Sequence, residues 1–216
     1  MTGKDRQIYA IIIVIVFCVF IACGVGNFRA KQLLIDAVGT RLNYALAEIG
    51  PQIDLGRLSA LSQNPQDPYY EELHAQLQTW RVERGWAGLY LVTKTTGGKW
   101  VSLLDSRSPG DPGFMPSGQP MRGVPIVVEK AYRGAVIQGE YYRTPQGARI
   151  GNFGPVGPLS TPVAEGDYAH VLAVLGVEHD ASAATDFLYQ TRYVQLGVLG
   201  LAALIVLGLA RRKPLS

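Results

Sequence analysis

Cysteine is nearly absent. The chain of 216 residues holds two, Cys18 and Cys23, and both lie in an apolar run near its start. No disulfide can brace the rest, which needs a hydrophobic core instead. Histidine is almost as scarce: His74, His170 and His179 fall on three separate predicted elements. Glu178-His179-Asp180 is a short run of metal-type ligands. Consecutive strand residues alternate faces, however, and cannot all turn to one ion. No metal site is expected. Enzyme motifs are also missing. No G-x-S-x-G stretch occurs, and "TKTTGGKW" lacks the first glycine of a phosphate loop and carries Trp100 where Ser or Thr is needed. No nucleophile–base pair is visible, so the expectation is a non-enzyme with no catalytic residue and no cofactor.

Charge of one sign is missing from the middle of the chain. Between Asn27 and Tyr193 there are 15 Lys+Arg against 16 Asp+Glu. The excess of positive charge therefore sits at the ends, in Lys4, Arg6, Arg211, Arg212 and Lys213. No basic stripe remains for nucleic acid, which is excluded as a partner.

Long uncharged runs are what the sequence does have. Ile8 to Gly26 reads "IYAIIIVIVFCVFIACGVG" and would extend about 28 Å as a helix, close to a bilayer's hydrocarbon core. Val194 to Ala210 is a second, shorter run. With basic residues outside both, the positive-inside pattern predicts two membrane spans and cytoplasmic termini. The expected layout is a cytoplasmic stub at 1–7, spans at 8–26 and 194–210, an extracytoplasmic domain at 27–193 and a second stub at 211–216. A cleaved signal peptide has a shorter apolar stretch, and Phe20 fits a lipoprotein cleavage box around Cys23 poorly.

Leu34, Val38, Leu42, Ala45 and Ile49 form one apolar stripe at helical spacing. Nothing separates this segment from the first run, so one long helix is expected, ended by Gly50-Pro51. A second helix is predicted over Pro68–Arg84, with Asp67 as N-cap, Tyr69, Leu73, Leu77, Trp80 and Arg84 on one face, and Gly85 as its stop. The period then changes to two. "GLYLVTKTTGGKWVSLLDS" reads as a hairpin around Gly97-Gly98. A Pro/Gly-rich loop covers Ser106 to Gly123, and a short helix is predicted over Val124–Arg133. "VIQGEYYR", "TPQG" and "ARIGNFG" form a second hairpin. After the loop "PVGPLSTPVAEGD", "YAHVLAVLGVEHD" is a last strand. "ASAATDFLYQTRY" then runs into the second apolar stretch. The fold class is α+β: an antiparallel sheet of about five strands with long N-terminal helices over one face.

From about Asn64 to Ser182 this order resembles the Cache-type, PAS-like extracytoplasmic sensor domains of bacterial histidine kinases, diguanylate cyclases and chemoreceptors. The residues that carry it are "DPYYEELHAQLQTWR", the hairpin with Tyr90 and Asp105 on the family's usual Tyr and Asp, "NFGPV", and "VLAVLGVEHDAS" as the closing strand. Glu178 stands where that family often has Asp, and the loop Pro155 to Asp167 is longer than usual at the rim of the family's pocket.

If Gly97-Gly98 are the two loop residues, Tyr90 lies opposite Asp105, on one face with Val92, Lys94, Val101 and Leu103. Leu89, Leu91, Thr93, Trp100, Ser102 and Leu104 take the other face. A three-residue loop would place Tyr90 and Asp105 on opposite faces. Tyr90 and Asp105 are the leading ligand-binding candidates, followed by Trp86, Tyr142 and Arg149. An arginine there could hold a carboxylate by two parallel hydrogen bonds. A core tyrosine bonded to a neighbour, and an aspartate capping a turn, are the plain structural readings of the first two.

The resemblance implies a membrane-anchored input protein that binds a small molecule or a partner. With no output module after the second run, it would act through its membrane helices on a separate membrane signalling protein. The competing expectations are a non-catalytic membrane scaffold or accessory subunit with a Cache-like protein-binding domain, and a sensor-only remnant of a split signalling gene. Relatives of this type often act as homodimers, although no heptad run here is long enough to demand it.

Overall fold

A computed structural model describes residues 3–63, 67–121, 126–157 and 171–211. The order is α1 (Gly3–Ile49), a 3-10 turn (Gly50–Gln52), α2 (Leu55–Gln63), α3 (Tyr69–Arg84), β1 (Gly88–Lys94), β2 (Trp100–Asp105), α4 (Ile126–Tyr132), β3 (Ile137–Thr144), β4 (Gly147–Val156), β5 (Ala173–Asp180) and α5 (Ser182–Arg211). The chain divides into two compact units. One comprises Met1–Leu34 with Ala183–Ser216, and the other Ile35–Ser182.

In the first unit, α1 and α5 carry the two apolar runs. Among the described residues one helical segment, Ala10–Gln52, is long and apolar enough to cross a membrane. The run expected as a second span lies within α5, which does not meet the same measure over its described residues. Asn27 Nδ2 donates to Gln195 Oε1 at 2.9 Å, joining the two helices where their apolar runs meet polar sequence. Arg212 and Lys213, the rest of the expected basic stop, lie outside the described residues.

The second unit is built on a five-stranded, wholly antiparallel sheet in the order β2-β1-β5-β4-β3. Helices cover one of its faces. Leu42, Ala45, Leu46 and Ile49 of α1, Leu58 and Leu61 of α2, and Leu73 and Leu77 of α3 are buried, as are Leu89, Leu91, Leu104, Ile150, Leu175 and Val177 from the sheet. Each such leucine, isoleucine or valine side chain contributes roughly 1.5–3 kcal/mol of burial. The predicted stripe on α1 is thus the packing face.

Helix α1 ends where Gly50-Pro51 was expected to end it, and α3 stops at Gly85 in the left-handed conformation, φ 65°. Asp67 does bond the start of α3, accepting from Tyr69 N at 2.8 Å. Helix α2 was not anticipated. Asp54 starts it by accepting from Arg57 N at 3.1 Å, but its apolar pattern spans too few turns to register as a period.

Two glycines set the approach of α1 to the sheet. A Cβ on Gly39 would lie 2.9 Å from Gly139 Cα, and Gly139 itself has φ 67° at a bulge in β3. Between them the buried Asn152 donates to Gly39 O at 2.7 Å and accepts from Gly139 N at 2.8 Å. One side chain satisfies two backbone groups that the close contact would otherwise strand.

The first hairpin differs from its expected form in two ways that cancel. Thr95 N donates to Lys99 O and Gly98 N to Thr95 O, leaving three loop residues with Gly98 at φ 75°. The strands pair as Lys94↔Trp100, Thr93↔Val101 and Val92↔Ser102, then shift to Leu91↔Leu104 and Tyr90↔Asp105. Leu103 is the extra residue of a bulge, which restores the lost register. Tyr90 therefore faces Asp105 as expected. Trp100 and Ser102 are corrected to the Tyr90 face and Val101 to the other, because they precede the bulge.

Candidate functional site

The sheet face away from the long helices carries the polar chemistry. Its apolar part is a cluster of Tyr90, Val92, Phe153 and Val174 under Val128 and Ala131 of α4, with Trp100, Met115, Met121, Tyr132 and Tyr142 around it. The loop after β2 folds back along that edge strand. Ser102 N donates to Gln119 O, Met121 N to Trp100 O, and Val101 bridges to Pro120. Edge strand β2 is thereby covered.

Two buried polar groups sit on this face. In the first, Glu178 Oε1 accepts from Tyr90 OH at 2.6 Å and from Tyr142 OH at 2.5 Å. Three strands supply these side chains, and glycines make the space. A Cβ on Gly176 would meet the Tyr90 ring at 2.6 Å, one on Gly88 would meet Glu178 Oε2 at 2.9 Å, and one on Gly151 would meet Tyr142 OH at 3.0 Å. Burial first, and then the Glu178 charge, push both tyrosine hydroxyls well above their ordinary pKa. They remain donors across the physiological range.

In the second group, Asp105, wholly buried, accepts from Arg107 Nε at 3.0 Å and Nη2 at 2.8 Å, and from Arg107 N and Met115 N. Burial opposes the Arg107 charge, but the bonds to Asp105 outweigh it and hold the guanidinium above the ordinary arginine value. Arg107 also lies 5.9 Å from the Tyr90 ring centroid. Asp105, Arg107, Tyr90, Glu178 and Tyr142 therefore form one continuous polar strip, with two carboxylates against one guanidinium.

Of the five candidates, Tyr90, Asp105 and Tyr142 belong to this strip. Arg149 stands beside Tyr142 in the ladder but points its bonds elsewhere. It pairs with Asp180 at 3.0 Å and donates to Ala148 O and Gln146 O. It does hold a carboxylate, one from this chain. Trp86 is buried in another neighbourhood, with the Arg84 guanidinium 5.3 Å from its ring and Arg84 paired to Glu48 of α1. Lys94 is bonded to Glu129 of α4 and lies near the rings of Trp100 and Tyr132. Sequence reading missed Arg107 and the role of Glu178. Glycines inside three strands were the available clue, since a strand glycine often marks the close approach of another group. The expected pocket rim, Pro155 to Asp167, lies outside the described residues from 158 onward.

A separate apolar cavity of about 550 Å³ lies on the helix-covered side. Leu46, Ile53, Val156 and Leu175 form its walls, with Gly50 and Gly154.

No protein-family model matches the chain, and no curated protein matches it. Among solved structures it is similar to the ligand-binding domain of the Campylobacter jejuni chemoreceptor Tlp3, crystallised in complex with L-valine. The two share 13% identity at a TM-score of 0.33, over 76% of this chain and 65% of that one. This chain therefore covers less than two thirds of that domain's length.

Proposed function

We propose that the chain is a membrane-anchored, non-catalytic sensor whose sheet domain lies outside the cytoplasm. A small molecule would bind at the Tyr90–Glu178–Tyr142 strip. The observation that carries this reading is that α1 is one uninterrupted helix. It holds the apolar run at one end and four buried core residues, Leu42, Ala45, Leu46 and Ile49, at the other. A change in packing against the sheet acts directly on an element that enters the membrane. The Cache-type resemblance of the closing strand and first hairpin supports the same reading. The hydrogen bond from Asn27 to Gln195 favours two spans, because it sets the edges of both apolar runs side by side. Output would pass to a separate membrane signalling protein through shifts of ~1–2 Å in these helices.

One observation favours a second reading. The tyrosine hydroxyls and the Arg107 fork are all bonded within the chain. A strip satisfied in this way also suits a scaffold whose sheet domain binds protein and no small ligand.

The test is a thermal-shift screen of the full chain in lipid nanodiscs against amino acids, small carboxylates and amines. A ligand at 100 times its Kd stabilises by about 2.7 kcal/mol, and the shift should disappear in Glu178→Gln. If no compound shifts the transition, or if Glu178→Gln responds as the parent does, the small-molecule reading fails. Reporters at both termini that fluoresce only in the cytosol test the two-span arrangement.

A further inference from the structure

We propose that the cavity on the helix-covered side of the sheet is a second binding site, and that it takes a small, uncharged, largely apolar molecule with one hydrogen-bonding group. It lies across the sheet from the Tyr90–Glu178–Tyr142 strip and shares no lining residue with it. Its volume of about 550 Å³ falls within the ~300–1,000 Å³ range of small-molecule sites. The helix-covered core is otherwise tight. Leu42, Leu58, Leu61, Leu73 and Leu77 are each 1% exposed or less. Protein interiors rarely leave gaps larger than a water molecule, so a space of this size is a local feature and not general looseness.

The walls join helix to sheet. Asn43, Leu46 and Ala47 belong to α1, Val156 to β4 and Leu175 to β5. An occupant therefore holds the end of α1 against the strands. Gly50 leaves room for it, since a Cβ there would have nothing within 4 Å. Val136, which is 57% exposed, and the exposed Ala47 and Pro51 mark the side open to solvent. A molecule can enter there without unfolding the core.

The lining fixes the chemistry. No Asp, Glu, Lys, Arg or His lines the cavity. A charge moved into it would lose its water and gain no counter-charge, which disfavours amino acids and small carboxylates. Leu46, Ile53, Val156 and Leu175 offer aliphatic surface to a ring or a short alkyl body. One side-chain amide stands among them. Asn43 is half-buried and makes no hydrogen bond among the described residues. An amide both donates and accepts, so a single N–H or O–H on the ligand finds a partner there.

The experiment is a thermal-shift titration of the full chain in lipid nanodiscs with indole, a neutral bicyclic molecule with one N–H. Lipid takes up indole equally in every variant, so differences between variants report the cavity. In the parent, indole at ten times its Kd should raise the melting temperature by roughly 3–6 °C. Indole-3-acetate, the same ring bearing a carboxylate, should bind roughly tenfold more weakly or worse. Ala47→Trp and Val136→Trp each set a ring at the open side from an exposed position, and each should abolish the indole shift. Tyr44→Trp, exposed on α1 but off the cavity wall, should respond as the parent does. Asn43→Leu should raise the indole Kd roughly fivefold through the loss of one hydrogen bond. The proposal is overturned if the parent shows no shift, if Ala47→Trp and Val136→Trp keep it, if indole-3-acetate binds as tightly as indole, or if Asn43→Leu binds indole as the parent does. Failure here leaves the small-molecule reading of the strip standing, because that reading turns on Glu178 and this one on the wall formed by α1.

Discussion

The Tyr90 hydroxyl donates to Glu178 on β5 at 2.6 Å, although the residue facing Tyr90 across its own hairpin is Asp105. The two carboxylates on either side of one tyrosine are handled differently. Asp105 is paired with Arg107 and closes a loop, whereas Glu178 accepts from the Tyr90 and Tyr142 hydroxyls.

The tyrosines predict an alkaline signature. Tyr90 and Tyr142 both have hydroxyls raised well above the usual 10.0, by burial first and by Glu178 second. In the unfolded chain they ionise near pH 10. The stability they contribute is therefore complete below about pH 10 and is lost as pH rises from there toward the folded values. Absorbance at the tyrosinate band should show two tyrosines that ionise only as the protein unfolds. Tyr142→Phe should remove one of them. Titration of every tyrosine near pH 10 before unfolding would contradict the buried arrangement.

Gly176→Ala should be costly for a reason confined to one neighbour. The added methyl would sit 2.6 Å from the Tyr90 ring, in a strand with no freedom to move away. Overpacking of this kind costs about 1–3 kcal/mol. Urea denaturation should report that loss in the parent and much less of it when Gly176→Ala is made on top of Tyr90→Ala. An equal loss in both backgrounds would mean that the ring is not the obstacle.

The sheet was legible where a pattern was local. The stripe Leu34–Val38–Leu42–Ala45–Ile49 announced the packing face of α1, a period of two announced the first hairpin, and turn-bounded runs announced the other three strands. The opposition of Tyr90 and Asp105 was legible only through two departures that offset each other, a longer turn and a bulge at Leu103, neither of which has a residue signature strong enough to read alone. The bonds to Glu178 were not legible. They join β1, β3 and β5 across long separations, and side-chain partners at such distances leave no periodicity.

Asp105→Ala should be among the most damaging single changes in the domain. It leaves Arg107 largely buried without its partner and the Met115 amide without an acceptor. Breaking a buried pair from one side costs about 3–5 kcal/mol. Replacing both members, Asp105→Leu with Arg107→Met, should recover most of that loss, because no unpaired charge remains. Chemical denaturation of the single and double variants measures the difference. A double variant less stable than Asp105→Ala would show that the pair is worth more than the apolar contacts that replace it.

Asp180 gives a prediction at the acid end. Burial opposes its ionisation, but the Ser182 amide at 2.8 Å and the Arg149 guanidinium at 3.0 Å outweigh burial and hold its carboxyl below the ordinary value. A depressed carboxylate stabilises the fold above its unfolded pKa near 4, and that contribution fades as pH falls through the folded value. Asp180 caps the first residue of α5, and the Ser182 hydroxyl also accepts from Ala148 N at 3.1 Å. The acid-labile contact therefore ties the start of α5 to strand β4. Gly147 shows how tight the join is, since a Cβ there would collide with Ser182 Oγ. Amide exchange in residues 182–186 should quicken as pH falls below about 4, relative to the intrinsic rate, while the amides of β1 stay protected. Asp180→Asn should show the quicker exchange already at pH 7. Uniform loss of protection across the sheet, or an Asp180→Asn variant that exchanges as the parent does, would mean that the Asp180 carboxylate does not secure this end of α5.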